Sequence, residues 1–545
     1  MKQENAQWLP HLTQEVVADA RGWNLDAYIV ALEGWRRGLT LKWHAKDSEK
    51  FKDMRTWFVD SPGRLFSLSS EDKTHYFFRT RGDKVTNEAV DKGSDKEQTK
   101  TILAEKDIPT AKGQQFSSQD NDETIVAYAN KLGYPLVVKP TNASFGRGVV
   151  TNITNEQALR AALVNVRLKQ SYSNIIVEQH ITGDDYRVYV VGDQAVAAMK
   201  RLPANVVGDG VHSIKELIQL KNAEREENPR LISCLIKIND ELIQTISKKG
   251  YTIETVLDEN EQLFLLEKSN ISIGGDPISV MDELPNEVKN LAVEAIQAIP
   301  GLAHGAVDMI VDLDKPADKA AVIIELNPTS QLGGLLFPVK GQAQDVPATI
   351  IDYYFPETKD IETNDVQFYF DFIDVLSPLV SHSADTSTVS PMPMGKVYAK
   401  KYTVIGDVQQ IGYHMGLRKQ AFERYLNGLV LNLSDGNIEV VVAGTDPEMV
   451  DDFENGLWED PERSEVVEVH KSEWTEPMKV GFEIKGDLKT QADEIETLIH
   501  DIEKTEIDLK AAEKQQQKYY NSFSWKATWP LRALGYVRKV ITNKR

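Results

Sequence analysis

Hydrophobic and polar positions alternate in short blocks along much of this chain. From about Asp91 to Pro356, apolar runs such as Leu136-Val137-Val138, Ile175-Ile176-Val177 and Ala321-Val322-Ile323-Ile324 are separated by helical stretches. Short β-branched runs bounded by turn residues predict strands, and their alternation with helices predicts an α/β or α+β domain. Residues 1–90 are rich in Trp and Arg and present no motif. Residues 380–394 are rich in Ser, Thr and Pro and read as a linker. A compact unit is expected from Gly395 to about Lys485. Beyond it Ile495, Leu498, Ile502, Thr505, Leu509, Ala512, Gln516 and Tyr519 recur at spacings of three and four, a short heptad seam. Lys526 to Arg545 carries six Lys/Arg and no acid, interleaved with Trp525, Trp529, Leu531, Leu534, Val537 and Val540. The expected map is therefore 1–90, a domain of unknown role; 91–356, the main α/β unit; 357–394, connecting segment and linker; 395–485, a second compact unit; 486–545, a helical tail.

Composition narrows the classes. A length of 545 residues suggests three or four domains. A formal net charge of -21 argues against a whole-chain nucleic-acid binder. The single cysteine, Cys234, allows neither an internal disulfide nor a Cys-rich metal site. The start, Met1-Lys2-Gln3-Glu4-Asn5, lacks the apolar core of a signal peptide. No run approaches the ~18 apolar residues of a membrane-spanning helix. A cytoplasmic enzyme is the expectation.

Candidate chemistry lies at strand ends. Lys139 closes a buried strand, and Thr141-Asn142-Ala143-Ser144-Phe145-Gly146-Arg147-Gly148 follows it. Small residues let backbone N–H groups approach phosphate oxygens; a plain glycine turn between strands reads the same way. Glu178 ends a second strand, with Asp185 a few residues on. Such acids suit an adenine amino group and ribose hydroxyls, or a solvated turn. A hairpin about Gly192 brings Arg187 and Lys200-Arg201 to one end, where cations suit polyphosphate or acyl phosphate. A second hairpin, centred near Pro316-Ala317, places Asp308 opposite Glu325, with Asn327 on the same face. Few, hard oxygen ligands that leave room for phosphate are what magnesium prefers.

These segments, in this order, resemble the ATP-grasp superfamily. Within it they look like cyanophycin synthetase and the ATP-grasp domain of bifunctional glutamate–cysteine ligase/glutathione synthetase. The carrying segments include Asp95-Lys96-Glu97-Gln98-Thr99-Lys100, Val138-Lys139-Pro140, Asp185-Tyr186-Arg187-Val188, the long run Arg201 to His212, Asn270-Ile271-Ser272-Ile273-Gly274-Gly275, Val307-Asp308 and Glu325-Leu326-Asn327-Pro328. The resemblance implies an ATP-grasp fold over 91–356 that uses ATP and Mg2+. It implies cofactor-binding positions Lys100, Lys139, Ser144, Gly146, Gly148, Glu178, Ile181 and Asp185. Arg187 and Arg201 would stabilise phosphate and acyl phosphate, and Asp308, Glu325 and Asn327 would hold the metal. Asn270, Ser272, Gly274 and Gly275 would lie near the acceptor substrate. No Mur-ligase-like domain is legible here, and 90 residues cannot hold the large amino-terminal ligase of the bifunctional enzyme.

Residues 395–485 look like acylphosphatase, a ferredoxin-like α/β sandwich, from Val408-Gln409-Gln410-Ile411-Gly412-Tyr413-His414, Asn427 to Asn432 and Ser434-Asp435-Gly436-Asn437. His414 stands at the family's arginine position and Asn432 at its asparagine position. Histidine offers no permanent bidentate fork, so binding or docking competes with hydrolysis there. The expected whole is an α+β multidomain chain with a coiled-coil tail. It would ligate a small-molecule or peptide carboxylate to an amine. A homodimer through the tail and peripheral contact of its basic end with a membrane are the expected associations. A nucleotide-binding scaffold, or a phosphotransferase with a non-amine acceptor, are the competing classes.

Overall fold

In the computed structural model the described residues are 6–141, 148–361, 368–409, 411–459 and 464–485. They form two compact units: the described parts of Met1–Lys396 with Glu476–Val480, and those of Val397–Thr475 with the chain from Gly481.

The first unit is built on a five-stranded antiparallel sheet. Its strands run in the order Asp276–Ser279, Gln194–Leu202, Asp184–Val191, His304–Val311, Ala321–Asn327. Alternation along these strands sorts the two faces. Val188, Val190, Ala198, Val307 and Met309 turn to a core shared with Val288, Ala292, Ala295 and Ile296 of the helix Asn286–Ala298. The opposite face carries Asp185, Arg187, Arg201, Asp308 and Glu325. A bulge lies between the last two strands: Met309 pairs with Ile323 and Asp308 with Glu325, so Ile324 has no partner.

A four-stranded antiparallel sheet in the order Gly113–Phe116, Ile175–Gln179, Leu136–Pro140, Val150–Ile153 forms a second layer of this unit. Its core is closed by the helices Asp122–Leu132 and Glu156–Leu163. Between the main strands, residues 203–275 form an insertion with its own small core. There the helix Ile214–Glu227 starts with a reciprocal cap, Ser213 bonded to the Glu216 N–H and Glu216 to the Ser213 N–H.

Two stretches pack otherwise than their composition suggests. The described part of residues 1–90 does not stand apart from the first unit. Ala6–Gln7 pairs with Gly341–Gln342, and Arg37 bonds Asp352 at 2.5 Å and the Ala348 carbonyl at 3.2 Å. The helix Leu25–Arg36 is buried along its whole length, which is why this region reads as Trp-rich without a polar pattern. Nor is 380–394 a linker throughout. Thr386–Thr388 pairs with Lys42–His44 as the edge of a sheet that continues through Leu65–Ser69, Thr74–Phe78 and Arg81–Gly82. Threonine's β-branched side chain suits an edge strand, and composition alone had masked this.

The second unit is a sheet in the order Glu465–Glu473, Tyr398–Asp407, Ile438–Gly444, Asn427–Asn432, Phe482–Lys485. The helices Ile411–Glu423 and Pro447–Gly456 pack on it through Leu417, Ala421, Val450 and Phe453. This is the expected ferredoxin-like sandwich. The tail beyond 485, with its heptad seam and basic end, lies outside the described residues.

Candidate active site

The polar face of the central sheet gathers its charges by register. Arg187 stands directly opposite Asp308, and Asp308 opposite Glu325. The Arg187 guanidinium donates to both Asp308 oxygens, at 2.7 and 2.8 Å. Arg201 lies opposite Asp185, donates to it at 2.9 Å through Nε, and reaches Asp308 at 3.1 Å. Asn327, opposite Ala306, falls on the same face. Burial alone would raise the Asp308 pKa, but Arg187 and Arg201 outweigh it and hold the carboxyl well below its usual range. Asp185 moves the other way: burial outweighs Arg201 and raises its pKa. Arg201 is raised despite burial, by Asp308 and Asp185.

The acids expected at adenosine have partners of their own. Asp185 is engaged by Arg201 and so belongs to this ionic cluster. Glu178 is buried and clamped between Lys100 and Lys139, because strand pairing sets it opposite Val137, two residues short of Lys139. Burial raises the Glu178 pKa, but the two lysines prevail and lower it. Burial lowers Lys100. These two lysines thus meet at one carboxylate. Lys100 is aimed by the helix Lys96–Ala104, whose first turn Asp95 caps at the Glu97 and Gln98 N–H groups, each at 3.0 Å. The same turn places Lys96 3.5 Å from Glu325, a contact that the sequence reading missed. Gly148 needs its glycine: its φ is +71°, and a Cβ would come within 2.7 Å of Pro140. Ile181 is half-buried just past the Glu178 strand. Ser144 and Gly146 lie outside the described residues.

The donor set Asp308, Glu325 and Asn327 suits a hard cation that keeps room for phosphate oxygens. Among the described residues no group of three or more His, Cys, Asp and Glu is placed to hold a metal ion, and this set has two carboxylates with an amide as its third donor. The Asn327 Nδ2 and Thr329 Oγ1 atoms are buried without hydrogen-bond partners beside this set. Unspent polar atoms at a strand end are unusual in a folded core and mark a place where a ligand completes the bonding.

The expected acceptor residues lie next to this face. Gly274 has φ +107°, and a Cβ on Gly275 would meet the Leu202 carbonyl at 2.7 Å, so both glycines serve close backbone packing. Asn270 closes the turn by accepting from Gly275 N–H at 3.1 Å; Ser272 is half-buried within it. A Cβ on Gly334 would touch Ile271, Met199 and Pro277. Met199 stands opposite Arg187 and Pro277 opposite Arg201. The loop after Asn327 therefore runs over the charged face, against the 270–275 turn.

That loop is held by residues with no local signal. Asp26, buried, accepts from the Leu332 N–H at 2.8 Å and from Arg79 at 2.8 Å. Thr80 donates to the Ser330 carbonyl at 3.0 Å. Behind it, Tyr189, His304 and Tyr354 form a buried chain with 3.1 Å links. Burial pushes His304 down to about 3, so this imidazole is neutral.

In the second unit His414 is buried, and its Nε2 atom has no partner; the Asn432 Oδ1 atom is likewise buried and unpartnered. Gln409 ties the preceding loop to the Leu433 and Asn437 carbonyls at 2.5 and 2.8 Å. This stitches the start of the His414 helix to the turn after Asn432. Burial lowers the His414 pKa, so the position offers a neutral ring.

Comparison with known proteins agrees with both units. Residues 93–226 match the RimK-like ATP-grasp domain, and residues 400–484 match acylphosphatase. Cyanophycin synthetase of Crocosphaera subtropica is 31% identical over 272 residues, 49% of this chain and 31% of that protein. The glutathione biosynthesis bifunctional protein of Listeria monocytogenes is 32% identical over 260 residues, 47% of this chain and 33% of that protein. The chain thus spans about a third of the length of these curated relatives. Among solved structures, a bifunctional glutathione synthetase from Pasteurella multocida shares 27% identity, covering 54% of this chain and 41% of the other, with a TM-score of 0.43.

Proposed function

We propose that this chain, which joins an ATP-grasp domain to an acylphosphatase-like domain, is an ATP- and magnesium-dependent ligase that couples a carboxylate to an amine on an amino acid or peptide substrate. The observation that supports it most is the set of Arg187, Arg201, Asp308 and Glu325 on one sheet face. ATP would supply the phosphoryl group, and magnesium, taken by Asp308, Glu325 and Asn327, would offset phosphate charge.

The residues of the chain then have separate tasks. Lys100 and Lys139 lie together where a phosphate would replace Glu178 as their anion. Arg187 and Arg201 are fixed by Asp308 and Asp185, so their charges need no reorganisation when an acyl phosphate forms beside them. The bidentate Arg187–Asp308 pair fixes the guanidinium by two parallel hydrogen bonds. No side-chain nucleophile is required: the substrate carboxylate would attack the γ-phosphorus with ADP leaving, and the amine would then attack the acyl carbon with phosphate leaving and the amine proton passing to phosphate or solvent.

The test is ADP release from the full chain, with magnesium, across amino acids and short peptides in pairs. Release that needs both a carboxylate and an amine, and that Glu325→Ala abolishes, is the expected result. Release without any amine would point to a phosphotransferase and end the ligase reading. For the second unit the reading is acyl-phosphate binding rather than hydrolysis, supported by the neutral His414. A cytoplasmic setting, a homodimer through the 495–519 seam and contact of the 526–545 segment with an anionic membrane face are proposed from the sequence pattern alone.

A further inference from the structure

Arg230 lies on the insertion and is only 6% exposed. Its Nη1 donates to Ser233 Oγ at 3.0 Å and its Nη2 to Gln331 Oε1 at 2.7 Å. Both acceptors are neutral. No carboxylate pairs with Arg230 among the described residues, and its Nε donates to none of them. Arg36 and Arg81, also deeply buried without an ion pair, differ in spending Nε as well: Arg36 donates through Nε and Nη1 to the Phe368 and His11 carbonyls, and Arg81 spends Nε, Nη1 and Nη2 on the Val85 and Arg55 carbonyls and on Asn87.

The surroundings sharpen the contrast. Arg225 and Lys221 share one carboxylate, Asp276, at 2.6 and 2.5 Å. Arg225 is close enough to Arg230 for the two charges to repel. Three cations therefore face a single anion in a largely buried place. Burying a guanidinium without a counter-ion is costly, so a site left with excess positive charge is prepared for an anion from outside. Its location fits a substrate. Gln331 is in the loop that follows Asn327, and the Arg230 stem packs on Gly333, where a Cβ would meet it at 2.5 Å. Gly334 in turn touches Met199 and Pro277 on the face that carries Arg187 and Arg201.

We propose that Arg230, oriented by Ser233 and Gln331, binds a carboxylate of the substrate that does not react. This rests on the ligase reading and deepens it. Arg187 and Arg201 attend the carboxylate being activated. Arg230 takes a second, spectator carboxylate, so at least one substrate is an amino acid or peptide that presents a free carboxylate beside its reacting group. Glutamine at 331 suits this role, because a neutral acceptor orients the guanidinium without neutralising it.

The test compares each common amino acid with its C-terminal amide, in which the carboxylate becomes a neutral carboxamide. Ligand-induced rise in melting temperature of the full chain, with ATP and magnesium present, reports binding without turnover. The expected result is an amino acid that binds about tenfold or more tighter than its amide, the scale of a lost charge-assisted contact. Arg230→Gln should erase that preference. Gln331→Glu should erase it too, with Arg230 untouched, because the new carboxylate would occupy the guanidinium from within. The melting temperature without amino acid shows whether each variant folds, and Gln331→Glu decides if Arg230→Gln does not. A preference that survives Gln331→Glu, or the absence of any acid-over-amide preference in the wild type, overturns the proposal. Acid preference without ADP release from any pair would keep the subsite and remove the ligase reading. ADP release as fast with amides as with acids would do the reverse.

Discussion

The charged face of the central sheet and the His414 end of the second unit both place polar side chains where a phosphate group would be handled. They do so in opposite ways. In the first unit the cations of the candidate site have anionic partners in place: Arg187 and Arg201 on Asp308 and Lys96 on Glu325 at the central sheet, Lys100 and Lys139 on Glu178 at the four-stranded sheet. At the second site His414 and Asn432 are buried with unspent atoms and no charge. Permanent, pre-oriented charge lowers a barrier in which charge moves. A neutral ring provides shape and one hydrogen bond. The difference teaches that the described residues gather paired charge in the first unit, while the His414 end of the second unit offers uncharged hydrogen-bonding atoms.

The largest effect should come from breaking the charged side. Glu325→Ala or Asp308→Asn should lower amine-dependent ADP release about 10²-fold or more, the scale of losing one preorganised charge-stabilising group. Asp308→Asn also releases Arg187 and Arg201 from their anchor. Next in size is a change that would make the two sites more alike. The wild-type chain should hydrolyse added acetyl phosphate no faster than buffer does, and His414→Arg should raise the rate about tenfold or more, as one charge-assisted contact of ~1.5–3 kcal/mol would. An unchanged rate in a folded His414→Arg protein would show that more than the cation has been lost.

A smaller effect tests the support of the charged face. Asp26→Ala leaves the Leu332 N–H and Arg79 unpartnered, and should destabilise the first unit by about 2–3 kcal/mol in denaturant titration. Asp26→Asn, which keeps an acceptor for Leu332, should recover part of that. The most gradual effect concerns acid. His304 titrates near 3 in the folded protein, below its unfolded value of 6.5. The unfolded chain therefore binds the extra proton between those limits. Stability from this group is constant above pH 6.5 and falls as pH drops below it, by at most about 1.4 kcal/mol per pH unit. His304→Gln should flatten the melting temperature against pH between 6.5 and 4. An equally steep dependence in that variant would assign the acid sensitivity to the paired carboxylates instead.

What the sequence revealed follows the range of the contacts. The Asp308–Glu325 pair was legible because a hairpin needs only alternation and a turn. The meeting of Arg187 and Arg201 was legible for the same reason, through Gly192. Glu178 was legible at the end of its strand, while Asp185, read only as a few residues beyond it, lies on the next strand; the partners of both come from neighbouring strands and from a helix, which periodicity does not report. Lys96 is aimed by the Asp95 cap, a local signal that could have been used: a capped helix start immediately upstream puts its first-turn side chains at a known end. Asp26, Thr80 and Arg230 reach the loop after Asn327 from far along the chain, and nothing near them in sequence marks it. The strand Thr386–Thr388 was hidden because its composition is that of a loop, while its pairing partner lies near the other end of the chain.

The bulge at Ile324 has one more consequence, which concerns length rather than chemistry. The strand Ala321–Asn327 carries one residue more than its partner can match, and that surplus is absorbed at a single position. Removing Ile324 would leave Ile323 against Met309 and Glu325 against Asp308, so inside and outside keep their assignments and only the local twist is lost. Removing Leu326 instead would bring Asn327 against Val307 and turn it toward the core. One strand therefore contains both a link that can be shortened without scrambling the site and a neighbour that cannot. Tolerance to deletion within these seven residues is set by the parity of the pairing, not by distance from the reacting groups.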